Sequence, residues 1–163
     1  MPVVDLPELA AAAPPRTPLI GLDLGEKTIG VAVSDPTRTI ASPLELIRKT
    51  KFTAEAERLF RLVDERGVGG LVIGLPVNMD GSEGPRAQSA RAFARNLLRL
   101  REIAIAFWDE RLSTAAVQRM MVSEQDLTRA RRAELVDKTA AAWILQGALD
   151  RLHSLSHVRA EGR

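Results

Sequence analysis

Two short apolar segments joined by a glycine-bearing turn constrain the fold of this chain more than any other feature. Residues 19–23 and 29–33 are apolar apart from their glycines and one acid, and Gly25 lies in the turn between them. Segments of this length and composition, separated by a short polar turn, are typical of paired antiparallel strands. We therefore expect a β-hairpin whose first strand ends at an acidic residue, Asp23.

Further strand patterns follow this hairpin. A third strand is expected to follow the hairpin directly, and Pro43 confines it to a sheet edge or a bulge because proline cannot donate to a strand ladder. Two later strands are continuous apolar runs, which is typical of strands covered on both faces. The three predicted segments are residues 39–47, 70–75 and 103–108.

Helical spacing of apolar residues predicts helices between and after these later strands. We expect Thr53 to cap the first helix and Gly67 to end it, and Pro85 to lie in the first turn of the next. The last helix is predicted over about 128–152. The order of elements predicts an α/β fold, with a mixed sheet and helices on its faces.

The ends of the chain differ in composition from its centre. Residues 1–17 are rich in Ala and Pro, which predicts a disordered leader. We expect a single domain over 18–155 and a polar tail over 156–163. No apolar run approaches the ~20 residues that a membrane-spanning helix needs, and no signal pattern is present, so a cytoplasmic protein without a membrane partner is expected.

Three acidic residues occupy positions that ordinary surface acids rarely take. Asp23 ends an apolar strand, and Glu110 follows another, with Asp109 beside it on the opposite face. Asp137 lies on or beside the inward stripe of the last helix, where an uncompensated carboxylate costs several kcal/mol. Each has an ordinary alternative: a turn former for Asp23, a helix cap for Glu110 or Asp109, and a salt bridge for Asp137.

A cluster of these acids indicates a particular metal chemistry. The chain has no Cys and only two His, His153 and His157, both in a polar stretch near the C-terminus. Carboxylates without thiolates or imidazoles favour the hard cations Mg²⁺ or Mn²⁺. Two such ions about 4 Å apart can hold a scissile phosphate, activate a water and stabilise the leaving oxygen. Convergence of the three acids therefore predicts phosphodiester hydrolysis.

Four sequence blocks resemble the signature blocks of the YqgF/RuvX family. They read GLDLGEKTIGVAVSD at 21–35, GLPVNMDGS at 74–82, DERLST at 109–114 and VDKTAA at 136–141. The resemblance implies an RNase H-like fold, here with a five-stranded sheet. It also implies a metal-dependent nuclease acting on precursor 16S ribosomal RNA or on Holliday junctions. The three acids of the family pattern fall on Asp23, Glu110 and Asp137, as catalytic residues and metal ligands.

Basic and polar residues near these acids are candidate nucleic-acid contacts. Lys27 lies in the first turn, Arg111 is next to Glu110, and the loop over 76–84 carries an amide and free backbone N–H groups. The residues predicted to bind nucleic acid are Lys27, Asn78, Arg111, Arg129 and Arg132. Ordinary turn and surface roles remain the alternative for each.

Several functions stay open at this point. We favour processing of the 5′ end of pre-16S rRNA by a monomer or homodimer, with resolution of Holliday junctions as the alternative. An RNase H-like module that binds RNA or a partner without cutting is a third possibility. Residues 21–25 also resemble the phosphate loop of actin-like kinases and ATPases, but 163 residues leave no room for the second lobe that those proteins need.

Overall fold

A computed structural model describes residues 3–112 and 129–161, with side chains for residues 3–112 and 139–156. Its centre is one five-stranded sheet in the order β3-β2-β1-β4-β5. The first three strands are antiparallel neighbours, whereas β4 and β5 run parallel to β1. The predicted mixed five-stranded sheet is confirmed. The strands are β1 Leu19–Leu24, β2 Thr28–Ser34, β3 Ala41–Arg48, β4 Gly70–Leu75 and β5 Ala104–Asp109.

The third strand behaves as its proline predicts. In the described sheet β3 is an edge strand, and its pairing with β2 shifts by one residue, because Val31 lies opposite Glu45 whereas Ala32 lies opposite Pro43. The ring of Pro43 removes one ladder donor, and both an edge and a bulge tolerate that loss.

Helices cover both faces of the sheet. The α-helices are α1 Leu6–Ala12, α2 Phe52–Arg66, α3 Pro85–Leu100 and α4 Arg129–Glu161. Helices α2 and α3 pack on one face, where Ile20 and Leu22 of β1 are buried, and α1 and α4 pack on the other, beside Leu19. The alternation of side chains along β1 divides its residues between the two cores.

Two helix boundaries differ from the predicted ones. Lys51, not Thr53, is the N-cap residue of α2, and the carboxylate of Glu55 accepts the backbone N–H of Thr50 at 2.9 Å instead. The predicted end at Gly67 is confirmed, with a φ of 62° that favours glycine. Helix α4 continues to Glu161, beyond its predicted end near residue 152, so the predicted polar tail over 156–163 begins within this helix.

The prediction of a disordered leader over 1–17 is wrong for residues 3–17. The N–H of Val4 donates to the carbonyl of Ile105 at 2.9 Å, so the chain pairs with the outer edge of β5. Helix α1 then buries Leu9 completely. The composition did not indicate this helix, because alanines and prolines dominate the segment. Its apolar stripe consists of only Leu6 and Leu9, which are buried when the helix packs on the sheet.

An arginine in the β2–β3 loop fastens this N-terminal segment. The guanidinium of Arg38 donates to the carbonyl of Pro14 at 2.8 Å and to that of Thr17 at 2.9 Å, beyond the C-terminal end of α1. Orphan carbonyls near a helix end need such donors. The segment is therefore tied to the domain at both of its ends. Over the residues that the structure describes, none of the helices has the length and apolarity required to cross a membrane.

The burial of Leu9 makes the contribution of α1 measurable. We expect Leu9→Ala to lower the free energy of unfolding by about 2 to 5 kcal/mol, because the truncation leaves a cavity between α1 and the sheet. Chemical denaturation followed by circular dichroism measures this change. Ala11→Ser, on the exposed side of α1, is the control and should change stability by less than about 0.5 kcal/mol. A Leu9→Ala protein as stable as the wild type would contradict the packing of α1.

Candidate functional site

The carboxylate of Asp23 is buried at the carboxyl end of β1. Its residue is only 2% exposed, and it follows Gly21 by two positions, so both lie on the α4 face of the sheet. A carboxylate in such a place needs charge compensation or a rich set of hydrogen-bond donors. Its burial distinguishes Asp23 from an exposed turn-forming aspartate.

Two strand glycines allow α4 to approach this part of the sheet closely. A Cβ atom on Gly21 would lie 2.6 Å from the Cβ of Leu145 and 3.1 Å from the carbonyl oxygen of Ala141. A Cβ on Gly74 would lie 2.5 Å from the Cδ1 of Ile144. A larger residue at Gly21 would collide with α4 close to its backbone, so this glycine sets the distance between α4 and the sheet, whereas one at Gly74 would displace the end of the Ile144 side chain.

The carboxylate of Glu110 lies over Gly74. Its Oε1 atom is 2.9 Å from the point where a Cβ on Gly74 would be. Because Leu22 of β1 is opposite Ile73 of the parallel strand β4, the next residues along these strands are Asp23 and Gly74. The structure therefore brings Glu110 and Asp23 to the same face of the sheet, at the carboxyl ends of its parallel strands.

The neighbouring acid, Asp109, is held elsewhere. Its carboxylate accepts three hydrogen bonds from the side chain of Arg111, at 2.7 to 3.1 Å, and one from the Arg111 backbone N–H at 2.9 Å. These contacts lower the pKa of Asp109, with the side-chain hydrogen bond of Arg111 as the main cause. The sequence left open which acid faces the α4 side, and the contact with Gly74 assigns that position to Glu110.

The third predicted acid, Asp137, lies on α4, but its side chain is outside the part of the chain described. The helix places residue 137 one turn before Ala141, which contacts Gly21. The side chains of Arg129 and Arg132 are likewise outside the described residues. Among the side chains that are described, no group of three His, Cys, Asp or Glu could hold a metal ion.

The donor set present suits a hard divalent cation. Asp23 and Glu110 contribute carboxylate oxygens, and the buried apolar side chain of Ile144 lies over Gly74 next to them. Oxygen-rich sites of this kind favour Mg²⁺ or Mn²⁺ over softer metals. The described side chains thus include two of the three residues that the sequence predicts as metal ligands.

The loop after β4 is a structured turn beside these acids. Asn78 accepts the N–H of Gly81 and donates its own N–H to Ser82, both at 2.9 Å, and its side-chain amide donates to the Ser82 hydroxyl at 3.0 Å. The amide of Asn78 therefore shapes the loop. At the tip, Met79 is 89% exposed.

Arg111 connects this loop to the end of β5. Besides binding Asp109, its guanidinium donates to the carbonyls of Asn78 and Met79, at 3.3 and 3.4 Å. These contacts make Arg111 a positioning residue for the loop. Lys27, by contrast, is exposed in the β1–β2 turn.

Sequence reasoning missed Gly21 and Gly74 as functional positions. Glycine within an apolar strand was the available signal, because it often marks the close approach of another backbone or group. The role of Arg111 in the loop had no such signal, since its partners are backbone carbonyls more than thirty positions away.

Comparisons with known proteins match nearly the whole chain. A family model described as RuvX, Holliday junction resolvase, matches residues 17–151. A protein of Phenylobacterium zucineum named "Putative pre-16S rRNA nuclease" is 73% identical over 95% of this chain and 100% of its own length. A protein of Caulobacter sp. with the same name is 61% identical over 99% of both chains.

Solved structures share the fold at low identity. T. thermophilus RuvC in complex with a Holliday junction substrate matches with a TM-score of 0.51 and 11% identity, over 83% of this chain and 96% of that one. The yeast mitochondrial Holliday junction resolvase Ydc2 matches with a TM-score of 0.50 and 9% identity, over 97% and 90%. These similarities confirm the predicted fold class.

The contacts of Arg111 predict a change in loop dynamics. We expect Arg111→Gln to reduce the amide hydrogen-exchange protection of Gly81 and Ser82 by about 10-fold, because charge-assisted bonds to the loop are lost. Arg101→Gln is the matched control, since Arg101 makes a similar two-bond pair with Asp64 elsewhere. Equal protection in both variants would contradict the positioning role.

The loop should also respond to acid. Hydrogen bonds from Ser82 lower the pKa of Asp80, and Arg91 and Arg111 lower those of Glu83 and Asp109. A carboxyl group with a lowered pKa stabilises the folded form above its ordinary pKa, and this effect is lost as the pH falls through the lower value. We expect loop protection factors to be constant from pH 7 to about 5 and to fall below about pH 4. Loss near pH 6 would contradict this assignment.

Proposed function

This chain belongs to the RuvX family, and we propose that it is a divalent-metal-dependent nuclease that processes the 5′ end of pre-16S rRNA. One observation carries the proposal most directly: Glu110 lies over Gly74, the strand neighbour of the buried Asp23. One carboxylate near the end of β1 and another directly after β5, at the same end of the sheet, can together hold a divalent metal that assists phosphodiester hydrolysis.

In this proposal Asp23, Glu110 and Asp137 hold Mg²⁺ or Mn²⁺, as two ions. The bound metal supplies Lewis-acid stabilisation of the phosphate and a lowered pKa for the attacking water. The protein contributes the positions of the ligands. Gly74 leaves room for the Glu110 carboxylate over β4, and the buried side chain of Ile144 packs over the same glycine.

The RNA substrate is supported by the relatives. Two proteins that are 73% and 61% identical, and that this chain matches over essentially their full length, carry the name of a pre-16S rRNA nuclease. At that identity, the residues around a common site are expected to serve a common substrate. Nucleic acid is accordingly the proposed partner, bound near Lys27 and the 76–84 loop.

Holliday junction resolution is the second candidate, and the description of the family model favours it. A resolvase must cut two strands symmetrically, and a dimer with two-fold symmetry provides this. Processing of an RNA end needs a single site, so a monomer suffices. The oligomeric state on the substrate therefore bears on the choice.

A cleavage assay tests the proposal. We expect end-labelled pre-16S rRNA to be cut in Mg²⁺ or Mn²⁺ and not in EDTA. Asp23→Asn, Glu110→Gln and Asp137→Asn should each lower the rate at least about 100-fold, because each removes a charged ligand whose metal supplies several kcal/mol of transition-state stabilisation. A labelled four-way DNA junction, tested in parallel, separates the two candidate substrates.

The neighbouring acid provides the matched control. Asp109→Asn should retain activity within about 10-fold, since this carboxylate is bound to Arg111. A readout without substrate is the melting temperature, which Mn²⁺ should raise in the wild type but not in Asp23→Asn. Activity in EDTA would overturn the metal requirement, and absence of cleavage with either nucleic acid would favour a binding module.

A further inference from the structure

Five basic side chains surround the β1–β2 turn, next to the candidate site. They form what we call the basic patch: Lys27, Arg48, Lys49, Lys51 and Arg86, all exposed. The N–H of Lys49 donates to the carbonyl of Lys27 at 2.9 Å, and Arg48 is opposite Thr28 at the end of the β2–β3 ladder. Arg86, at the start of α3, donates to the carbonyl of Leu24 at 3.4 Å.

The backbone that carries three of these residues is held in one conformation. Glu55 is only 7% exposed, and its carboxylate accepts the N–H of Thr50 at 2.9 Å. The N–H of Glu55 in turn donates to the carbonyl of Lys51 at 3.1 Å. The segment from Arg48 to Lys51 is therefore ordered by a buried acid, and its cations have defined positions.

The charges of the basic patch are not neutralised by the side chains that the structure describes. Elsewhere in that part of the chain, arginines pair with acids, as in Arg58 with Glu45 and Arg101 with Asp64. No ion pair is found there for any member of the patch. Among the described residues, two acids line the cleft beside the patch, Glu26 in the turn and the buried Glu55, so the five cations of the patch outnumber them. Five clustered and unpaired cations produce a local positive potential that attracts polyanions.

The position of the patch relates it to the site. A cleft of about 200 Å³ is lined by Leu24 and Gly25, which directly follow Asp23, together with Lys49, Glu55 and Arg86. Asp23 faces α4, whereas Leu24 packs against the core on the α2 and α3 side. The acids and the patch therefore lie on opposite sides of the end of β1. A nucleic-acid strand that crosses this end of the sheet would contact both the acids and the patch.

We propose that the basic patch binds backbone phosphates of the nucleic-acid strand on one side of the cleaved bond. This inference rests on the proposed nuclease function and adds a path for the substrate, from the acids across the β1–β2 turn to the start of α2. Lys and Arg contacts of this kind position a nucleic acid without reading its sequence. Only Lys27 among these residues was a candidate from the sequence.

Binding measured without catalysis tests the patch separately from the function. The triple variant Lys49→Gln, Lys51→Gln, Arg86→Gln is compared with a control that loses the same charge, Arg66→Gln, Arg99→Gln, Arg151→Gln. The control arginines are exposed, and they lie toward the opposite end of the sheet. Fluorescence anisotropy in EDTA, at salt concentrations from about 0.05 to about 0.3 M, measures the affinity for labelled pre-16S rRNA and for a four-way DNA junction.

We expect the patch variant to bind at least about 10-fold more weakly and its salt slope to fall by roughly 2 to 3, because each lost phosphate contact releases about one counterion fewer. The control should remain within about 2-fold of the wild type. An effect on only one of the two probes supports the patch and identifies the substrate. Circular dichroism verifies folding, and single Lys49→Gln and Lys51→Gln variants replace the triple if it unfolds.

The outcomes separate the patch from the proposed function. Unchanged affinity and salt slope in the patch variant for both probes would overturn the patch, even if the wild type cleaves normally. Patch-dependent binding by a wild type that cuts neither probe in Mg²⁺ or Mn²⁺ would support the patch and contradict the nuclease function. Equal losses in the patch and control variants would also overturn it, because the effect would then follow net charge alone.

Discussion

The close packing of α4 against the glycines of β1 and β4 is the contact on which the site depends. Because Gly21 and Gly74 have no side chains, Leu145 packs directly on the backbone of β1. Ile144 and the Glu110 carboxylate lie directly over the backbone of β4. This proximity buries Asp23 and brings a second carboxylate beside it. A side chain at Gly21 would push the helix away from the sheet, and one at Gly74 would displace the side chains of Ile144 and Glu110.

Two groups of cations among the described residues have contrasting roles. Arg38 and Arg111 donate to backbone carbonyls and hold segments of chain: Arg38 the N-terminal segment, Arg111 the loop beside the site. The basic patch, by contrast, leaves its charges exposed on a backbone that Glu55 orders. Arginine serves the first role well because its planar fork satisfies several acceptors at once.

Much of the fold could be predicted because periodicity is a local property. The apolar run at 70–75 coincides with β4, and the predicted stop at Gly67 coincides with the end of α2. Helix α1 could not be predicted in this way. Its two leucines are buried only by tertiary contacts, in a cluster with Ala106 and residues of α4. The predicted cap of α2 was also wrong, because the helix begins at Phe52, before Thr53, and the Glu55 carboxylate accepts the N–H of Thr50 from within the first turn.

The sequence by itself determined the order of the five strands and the family, and it singled out Asp23, Glu110 and Asp137 as candidates. These follow from short-range patterns and from residue types in sequence blocks. Only the tertiary structure decided that Glu110 and not Asp109 lies over Gly74, that Arg111 holds a loop, and that residues far apart in the chain form one basic patch. The reason is physical. The direction of a side chain at the end of a strand depends on the element that packs over it, and here that element is α4, from the C-terminal part of the chain.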